Sequence, residues 1–532
     1  MKIPTAKLPF ATKKPRSRPF VFRTRPLTAA VLGTIIDEYD VGMAHVIVSD
    51  SGEKHTYSVQ EPPLSEAEQG LYSLLMESLY YSLKPIETED PAAYVDQFIW
   101  QAAEDLGAVE EVKKSYNSLK YYIMRDSVGY GVVDVLVRDD DIEEISCEGF
   151  GVPLAAVHRR YPQFDWLDTN IMFGDEETLK KYVQRLVQKA GKAITTSVPF
   201  VDAITKENHR LAATLSNEIS LPGSTFDMRK FPREPLSIGH LVAAGTISPL
   251  LAAYYWMIVE ERGFVLVIGP TASGKTTTMN ALITLINPAL KIATVEETPE
   301  LLIPQEHWER LHSRTSYSVS SDARYDVTLF DLAKLTLRLR PDYIVVGEAR
   351  GEEISTLFQA ASTGHGALSS FHADSPEAAL VRMAAPPLNV GNASLMLMWS
   401  LLMMNRIRRE DGSVVRRALV SKEVGMRGEL IDMFRWNARE DLIMPTDPLE
   451  VARKSYRLQT VATLKGWNTD ELAAELGRRA KYLADIVRSG AYKYADVSAA
   501  IQKFYREKYG CTIANGDDYS DIQRLGWTAD PG

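Results

Sequence analysis

Four short, nearly unbroken apolar runs punctuate the centre of the chain: Phe264–Ile268, Lys291–Val295, Tyr343–Val346 and Ala367–Phe371. A strand covered on both faces reads in this way, because neither side of its pleat meets water. Helical periodicities lie between the runs. Strands alternating with helices predict a mostly parallel sheet, and hence an α/β fold for residues 241–425. Upstream, residues 129–230 show a different texture. Strand-like runs at Ile142–Cys147, Val152–His158 and Arg210–Leu215 surround an amphipathic stretch, Glu176–Lys189, and predict a smaller mixed α/β domain.

The flanks are punctuated by turn and cap residues. Val46–Val48 and Thr56–Val59 frame the turn Asp50-Ser51-Gly52 and predict a hairpin. Ser65 and Glu68 form a capping box ahead of Leu71, Leu74, Leu75 and Leu79, which share one helical face. A second helix starts at Asp90-Pro91 and ends at Gly107, and a third runs through Tyr116, Leu119 and Ile123. Residues 27–128 therefore read as a small β hairpin plus helical domain. Phe231-Pro232-Arg233-Glu234-Pro235 reads as a linker, placed at 231–240, because its prolines interrupt regular structure. Residues 426–510 read as a mostly helical region, with helical pattern at 467–509 and Gly490 after a last turn. Residues 511–532 read as a loose tail.

Composition narrows the classes. Of 532 residues, 45% are hydrophobic and 24% charged, as in ordinary globular proteins, and the formal net charge is −10. An acidic balance argues against broad nucleic-acid binding. The exception is the first 26 residues, which hold eight Lys or Arg, no Asp or Glu, and prolines at Pro4, Pro9, Pro15, Pro19 and Pro26. They predict a flexible arm, either a solvated tail or a segment attracted to an anionic membrane surface or an acidic partner. The two cysteines, Cys147 and Cys511, form no CxxC pair, which excludes a thiolate zinc site and suits a reducing compartment. The methionine-rich run Leu395 to Met404 falls short of the ~18–20 residues that span a bilayer. The N-terminus carries no apolar signal-like region, so a cytoplasmic protein is expected.

The chemistry concentrates at the ends of the four central runs. Gly269-Pro270-Thr271-Ala272-Ser273-Gly274-Lys275-Thr276, followed by Thr277, matches the phosphate-binding pattern GxxxxGK[ST] between a strand and a helix. Glycines allow backbone N–H groups to close around phosphates, and the helix N-terminus adds its positive dipole end. Lys275 is placed to reach the β/γ-phosphates and Thr276 to hold Mg²⁺. After the second run come Glu296 and Glu297; either carboxylate is suited to hold Mg²⁺ through water or to orient a water, and a plain charged turn is the competing reading. The third run puts Glu348 at its C-terminal end, where an acid polarises water or anchors the Mg²⁺ shell. Asp342 begins that run as a turn residue. The fourth run lies between His365 and His372, with His372 near a γ-phosphate. A metal site of His365, His372 and Asp374 is disfavoured by the strand between the histidines, and a packed histidine is the simpler reading of His365.

In this order the segments GPTASGKTT, TVEETPEL, RPDYIVVGEARGEE and TGHGALSSFHA resemble the phosphate loop, Asp box, Walker B and His box of type II/type IV secretion ATPases. RRYPQFDWLDTNIMF, RLAATL, GSTFDMRKF and HLVAAGTISPLLAAYYW extend the resemblance to the archaeal branch, with its pilus-assembly and archaellum motors, over roughly Tyr39 to Tyr509. The resemblance implies a RecA-like P-loop ATPase domain preceded by a PAS-like α/β domain at 129–230 and a helical N-terminal region. It implies a homohexamer at the inner face of the cell membrane, acting on a polytopic membrane platform protein and, indirectly, on pilin-like subunits. It also implies that Arg210 and Arg229 reach the phosphates of ATP, a role that competes with ordinary surface ion pairing. The stretch Phe231 to Gly245 is the expected wall of the adenine pocket. The departures are the absent four-cysteine zinc motif, the Glu-Glu pair in the Asp box, and Ser369-Ser370 where threonine is common. No retraction-type helix motif is present, which favours assembly. Two other readings stay open: a DNA-transfer or helicase-like motor, and a module that binds ATP without hydrolysing it.

Overall fold

The computed structural model describes residues 33–82, 91–221, 223–231, 234–314, 326–410 and 412–509. The basic arm, the C-terminal tail and Cys511 fall outside the described residues. The chain divides into two compact units, residues 1–232 and 233–532.

The first unit is built on one sheet of strands β1 (Thr34–Val41), β2 (Ala44–Asp50), β3 (His55–Gln60), β4 (Ile142–Cys147), β5 (Pro153–His158), β6 (Leu167–Met172), β7 (Phe200–Ile204), β8 (Arg210–Thr214) and β9 (Thr225–Arg229). Their order is β1-β2-β3-β6-β5-β4-β9-β8-β7. Every pairing is antiparallel except β3 with β6, where Thr56 and Tyr57 lie beside Asp168 and Thr169. The expected hairpin is β2–β3, with Val46 opposite Val59. It does not belong with the helices, as its place in the sequence suggested, but extends this sheet through the β3–β6 pairing. Two tyrosines tie these strands to the segment ahead of β4: Tyr39 of β1 and Tyr57 of β3 both donate to Asp139 Oδ2, at 2.6 and 2.7 Å.

The helix Glu176–Lys189 starts where Asp175 accepts from the Thr178 N–H at 2.8 Å. Its buried stripe Leu179, Tyr182, Val183, Leu186 and Val187 joins the core of the sheet. Helices Glu66–Ser82, Pro91–Asp105, Val109–Lys114 and Tyr116–Ser127 enclose a separate core around Tyr72, Leu75, Leu79, Ile99, Leu119 and Ile123. The capping box is present, with the Ser65 N–H donating to Glu68. Leu74, expected on the apolar face, is 51% exposed instead, and Tyr72 takes the inward position.

The second unit contains β10 (Phe264–Ile268), β11 (Ile292–Glu296), β12 (Trp308–His312), β13 (Tyr343–Val346), β14 (Gly366–Phe371), β15 (Met398–Arg408), β16 (Val414–Val424), β17 (Leu430–Asn437) and β18 (Leu442–Met444). The order is β12-β11-β13-β14-β10-β15-β16-β17-β18, parallel from β12 to β15 and antiparallel from there to β18. The core strands are buried throughout, as their unbroken apolar runs require. Successive side chains serve opposite faces. Val265 and Val267 face one core, which the helices Pro249–Glu260 and Lys275–Ile283 cover. Phe264, Leu266 and Ile268 face the other, beneath Leu329–Leu339, Glu353–Ser362 and Pro376–Ala384. This is the RecA-like α/β architecture expected from the motifs.

The region after residue 425 is not chiefly helical at its start, since β17 and β18 complete the sheet. Nor do its helices stand apart. Leu472, Leu476 and Leu483 of Thr469–Arg488, and Val497, Ile501 and Phe504 of Tyr494–Tyr509, share the core of the sheet. A buried ion cluster sits in that seam. Arg479, fully buried, pairs with Glu260 and with Glu475 at 2.8 Å, and Lys508 meets Glu260 at 2.8 Å. Removing one partner leaves buried charge uncompensated, so Arg479→Met is expected to cost about 3 kcal/mol in denaturant unfolding followed by tryptophan fluorescence. Burial pushes the Glu475 carboxyl up, but Arg478 and Arg479 outweigh it and hold the group down at about 2. Its contribution is therefore complete above the ordinary glutamate range and is lost as the pH falls from there toward 2.

Candidate functional site

β10 ends at Ile268, and the chain turns sharply into the helix Lys275–Ile283. The turn demands unusual backbone. Gly269 has φ 150°, Ala272 φ 60° and Gly274 φ 92°. A Cβ on Gly269 would lie 2.3 Å from the Met404 carbonyl oxygen of β15, so this glycine lets the neighbouring strand approach. The loop thereby leads from β10 directly into a helix N-terminus, an arrangement suited to an anion of phosphate size. Lys275, 8% exposed, donates from Nζ to the carbonyls of Gly269 and Pro270 at 3.1 and 2.9 Å. Burial, with help from Arg350, pulls its ammonium below the usual lysine range, against an opposing effect of Glu348.

The adjacent strand ends bring acids and a histidine to the loop. Glu348 stands two residues beyond β13. The segment carrying it is tied to β14: Ser370 Oγ donates to the Gly347 carbonyl at 2.8 Å, and the Ala349 N–H donates to the Ser370 carbonyl at 2.9 Å. Arg350 grips Glu348 with both oxygens engaged, Nε to Oε1 at 2.7 Å and Nη2 to Oε2 at 2.8 Å. His372, just past β14, places Nε2 3.0 Å from Glu348 Oε1 and Nδ1 3.5 Å from Lys275 Nζ. Burial pushes the Glu348 carboxyl up, but Arg350, His372 and Lys275 together hold it below the usual range. Burial and Lys275 draw His372 below the ordinary histidine value. Lys275, His372, Glu348 and Arg350 thus form a continuous chain across the C-terminal ends of β10, β14 and β13.

The two carboxylates after β11 have separate surroundings. Glu296 is 2% exposed, and its Oε1 accepts the N–H groups of Glu300 and Leu301 at 2.8 Å each. Burial pushes it up to about 7. It braces the following turn from inside. Glu297 is half-exposed, with its carboxylate 3.7 Å from Arg350, so it is the member of the pair that faces the cluster.

The remaining expectations separate. Asp342 accepts from Arg262 and the Lys291 N–H at 2.6 and 2.9 Å, holding the start of β13. His365 lies at the opposite end of β14 from His372 and meets Thr363 Oγ1 at 2.9 Å, so the two histidines do not share a site. Among the described residues no group of three or more His, Cys, Asp or Glu comes together as a metal cage. Magnesium needs none, since it keeps several waters and takes one or two protein ligands with phosphate oxygens. The donors available, the Thr276 hydroxyl on the first helical turn and the oxygens of Glu297 and Glu348, are hard and fit Mg²⁺ rather than a softer ion. Arg210 and Arg229 lie in the first unit as cross-strand neighbours on β8 and β9. Arg210 pairs with Asp202 at 2.6 Å, and Arg229 is 3.8 Å from Glu144.

Two arginines of this region have no role assigned from the sequence. Arg350 stands in the third segment, two residues beyond Glu348. Arg416 of β16 donates from Nε to the Ala272 carbonyl at 3.2 Å, across 144 residues.

A sheet of this order, parallel from β12 to β15, with a glycine loop after its central strand β10 and an acid beyond β13, one strand removed from it, defines a RecA-like α/β protein. The chain belongs to the type II/IV secretion system protein family, whose model matches residues 164–429. An uncharacterized protein of Methanocaldococcus jannaschii is 30% identical over 486 residues, 85% of this chain and 86% of its own length. The VirB11 protein of Agrobacterium fabrum is 37% identical over 127 residues, 24% of this chain and 36% of that protein. Among solved structures, the ATPase DotB of Legionella pneumophila gives a TM-score of 0.41 at 16% identity, over 74% of this chain and 95% of that one.

Proposed function

We propose that this protein is a motor ATPase of the type II/IV secretion family, working as a homohexamer against the inner face of the membrane. In this reading Mg-ATP hydrolysis drives a polytopic platform protein and, through it, assembly of a pilus-like filament or type II-like secretion. The observation that supports it most is the chain Lys275–His372–Glu348–Arg350 at the mouth of the Gly269–Thr276 loop. Binding falls to the loop from Gly269 to Thr277, where every residue but Pro270 offers an N–H, and to the Lys275 ammonium. Thr276 and, directly or through water, Glu297 and Glu348 would hold Mg²⁺, which would supply charge neutralisation to the phosphate oxygens. Glu348 orients the attacking water and accepts its proton, with Glu297 in support. His372, with Nε2 3.0 Å from Glu348 Oε1, senses the γ-phosphate. Arg210 and Arg229 are proposed as cations that offset charge on the transferred phosphoryl group.

Purified full-length protein is expected to release phosphate from ATP only with magnesium present, and to sediment at the mass of six copies when nucleotide is bound. Absence of magnesium-dependent turnover would leave only a nucleotide sensor. Strong stimulation by single-stranded DNA with a steep salt dependence would move the assignment to a DNA-transfer motor.

Among the described residues no helix is long and apolar enough to cross a membrane. Membrane association is accordingly proposed as peripheral, with the basic segment of residues 1–26 as its candidate contact.

A further inference from the structure

The sheet places Glu348 and His372 to one side of β10, beyond the ends of β13 and β14, and leaves the other side to β15 and β16. β15 outruns β10. Ile268 pairs with Met403, and the β15–β16 hairpin continues beyond, so the rung formed by Arg406 and Arg416 is level with the loop rather than with the strand. Arg416 turns onto the loop. Its Nε donates to the Ala272 carbonyl at 3.2 Å, and its Cδ lies 3.3 Å from where a Cβ on Gly274 would stand. The next residue is held from the opposite side. Arg417, 5% exposed, is bidentate on Asp441 at 2.8 Å for both contacts and donates to the Ala244 carbonyl at 3.1 Å. Asp441 is in turn gripped by Arg409 and by Trp436 Nε1 at 2.9 Å. This anchorage fixes the register of β16, so Arg416 is a preorganised cation and not a wandering surface side chain.

We infer that Arg416 is a further nucleotide-binding residue, contacting the phosphate chain of the bound nucleotide at the end away from Glu348, the α- and β-phosphates. The inference rests on the nucleotide-binding reading above. Nε is spent on Ala272, which leaves the two Nη groups of the guanidinium to a planar pair of anionic oxygens. The bond being broken lies on the Glu348 side, so a cation on the β16 side meets oxygens whose charge changes little during the reaction. Such an interaction stabilises the ground and transition states alike and acts on binding more than on turnover. ADP, which retains both the α- and β-phosphates, should feel it as much as ATP.

The test is a titration of full-length wild type, Arg416→Ala, Arg416→Gln and Arg416→Lys with ribose-labelled fluorescent ADP, alongside steady-state phosphate release. Loss of a charge-assisted contact predicts about tenfold or greater weakening of ADP binding and a similar rise in KM for ATP in Arg416→Ala, with kcat within about threefold of wild type. Arg416→Lys should recover part of the affinity, and Arg416→Gln, which keeps an N–H donor for Ala272 but no charge, should recover none. Rescue by Gln equal to that by Lys would reduce Arg416 to a brace for the loop and overturn the inference, as would wild-type ADP affinity in Arg416→Ala. A wild-type protein that binds no labelled ADP would instead remove the nucleotide-binding reading itself, and the inference with it.

Discussion

Glu348→Gln is expected to lower ATP turnover at least 100-fold, the scale of a general base, while ATP binding survives. The main chain on either side of Glu348 is tied to β14 through Ser370, by the Gly347 carbonyl and the Ala349 N–H, so the residue keeps its place beyond β13 when its charge is removed. What depends on charge is its capacity to take a proton. Arg350, His372 and Lys275 overcome the effect of burial and keep the group ionised at neutral pH. Glutamine preserves the volume and one acceptor oxygen but removes the base. Binding is carried by the loop and by Lys275, neither of which the change touches directly. Phosphate release and equilibrium ATP binding, measured on one preparation, separate the two effects. Turnover near that of wild type would transfer the role to another group, with Glu297 the nearest alternative through Arg350.

The elements that position this site were readable because each is a local pattern. An apolar run long enough for one buried strand, glycines where φ must be positive, and a lysine on the first helical turn all occur within a dozen residues. Glu348 and His372 followed from the same logic, since both sit where an apolar run stops. The limits are as instructive. Glu296 and Glu297 are adjacent and chemically alike. Only the turn at Glu300 and Leu301, whose N–H groups need a buried acceptor, decides that Glu296 faces inward. β1 carries acids among its few apolar residues and is largely exposed at a sheet edge, so it lacked the pattern of a strand. The parallel pairing of β3 with β6 spans more than a hundred residues, and no local signal announces it. Arg416 is likewise set beside the loop by hairpin length and register. Residues brought together by topology are the ones that sequence reasoning missed.

Lys275→Ala is expected to abolish hydrolysis and to weaken both ATP and ADP binding by more than about 100-fold, corresponding to loss of two charge-assisted contacts at ~1.5–3 kcal/mol each. The ammonium is buried against the carbonyls of Gly269 and Pro270 and lies 3.5 Å from His372 Nδ1, at the point where the loop and the Glu348 cluster meet. Its position gives it a share in two functions that the other variants separate. Glu348→Gln strikes turnover and spares binding. Arg416→Ala strikes binding and largely spares turnover. Lys275 lies between them and should strike both. A collapsed loop would give the same loss for a structural reason, so Lys275→Met, which keeps the aliphatic stem and removes only the charge, is the control. If Met retains the wild-type thermal midpoint and still fails to bind nucleotide, the charge is responsible. If Met binds ATP as wild type does, the loop N–H groups suffice for the phosphates, and the role given to Lys275 falls.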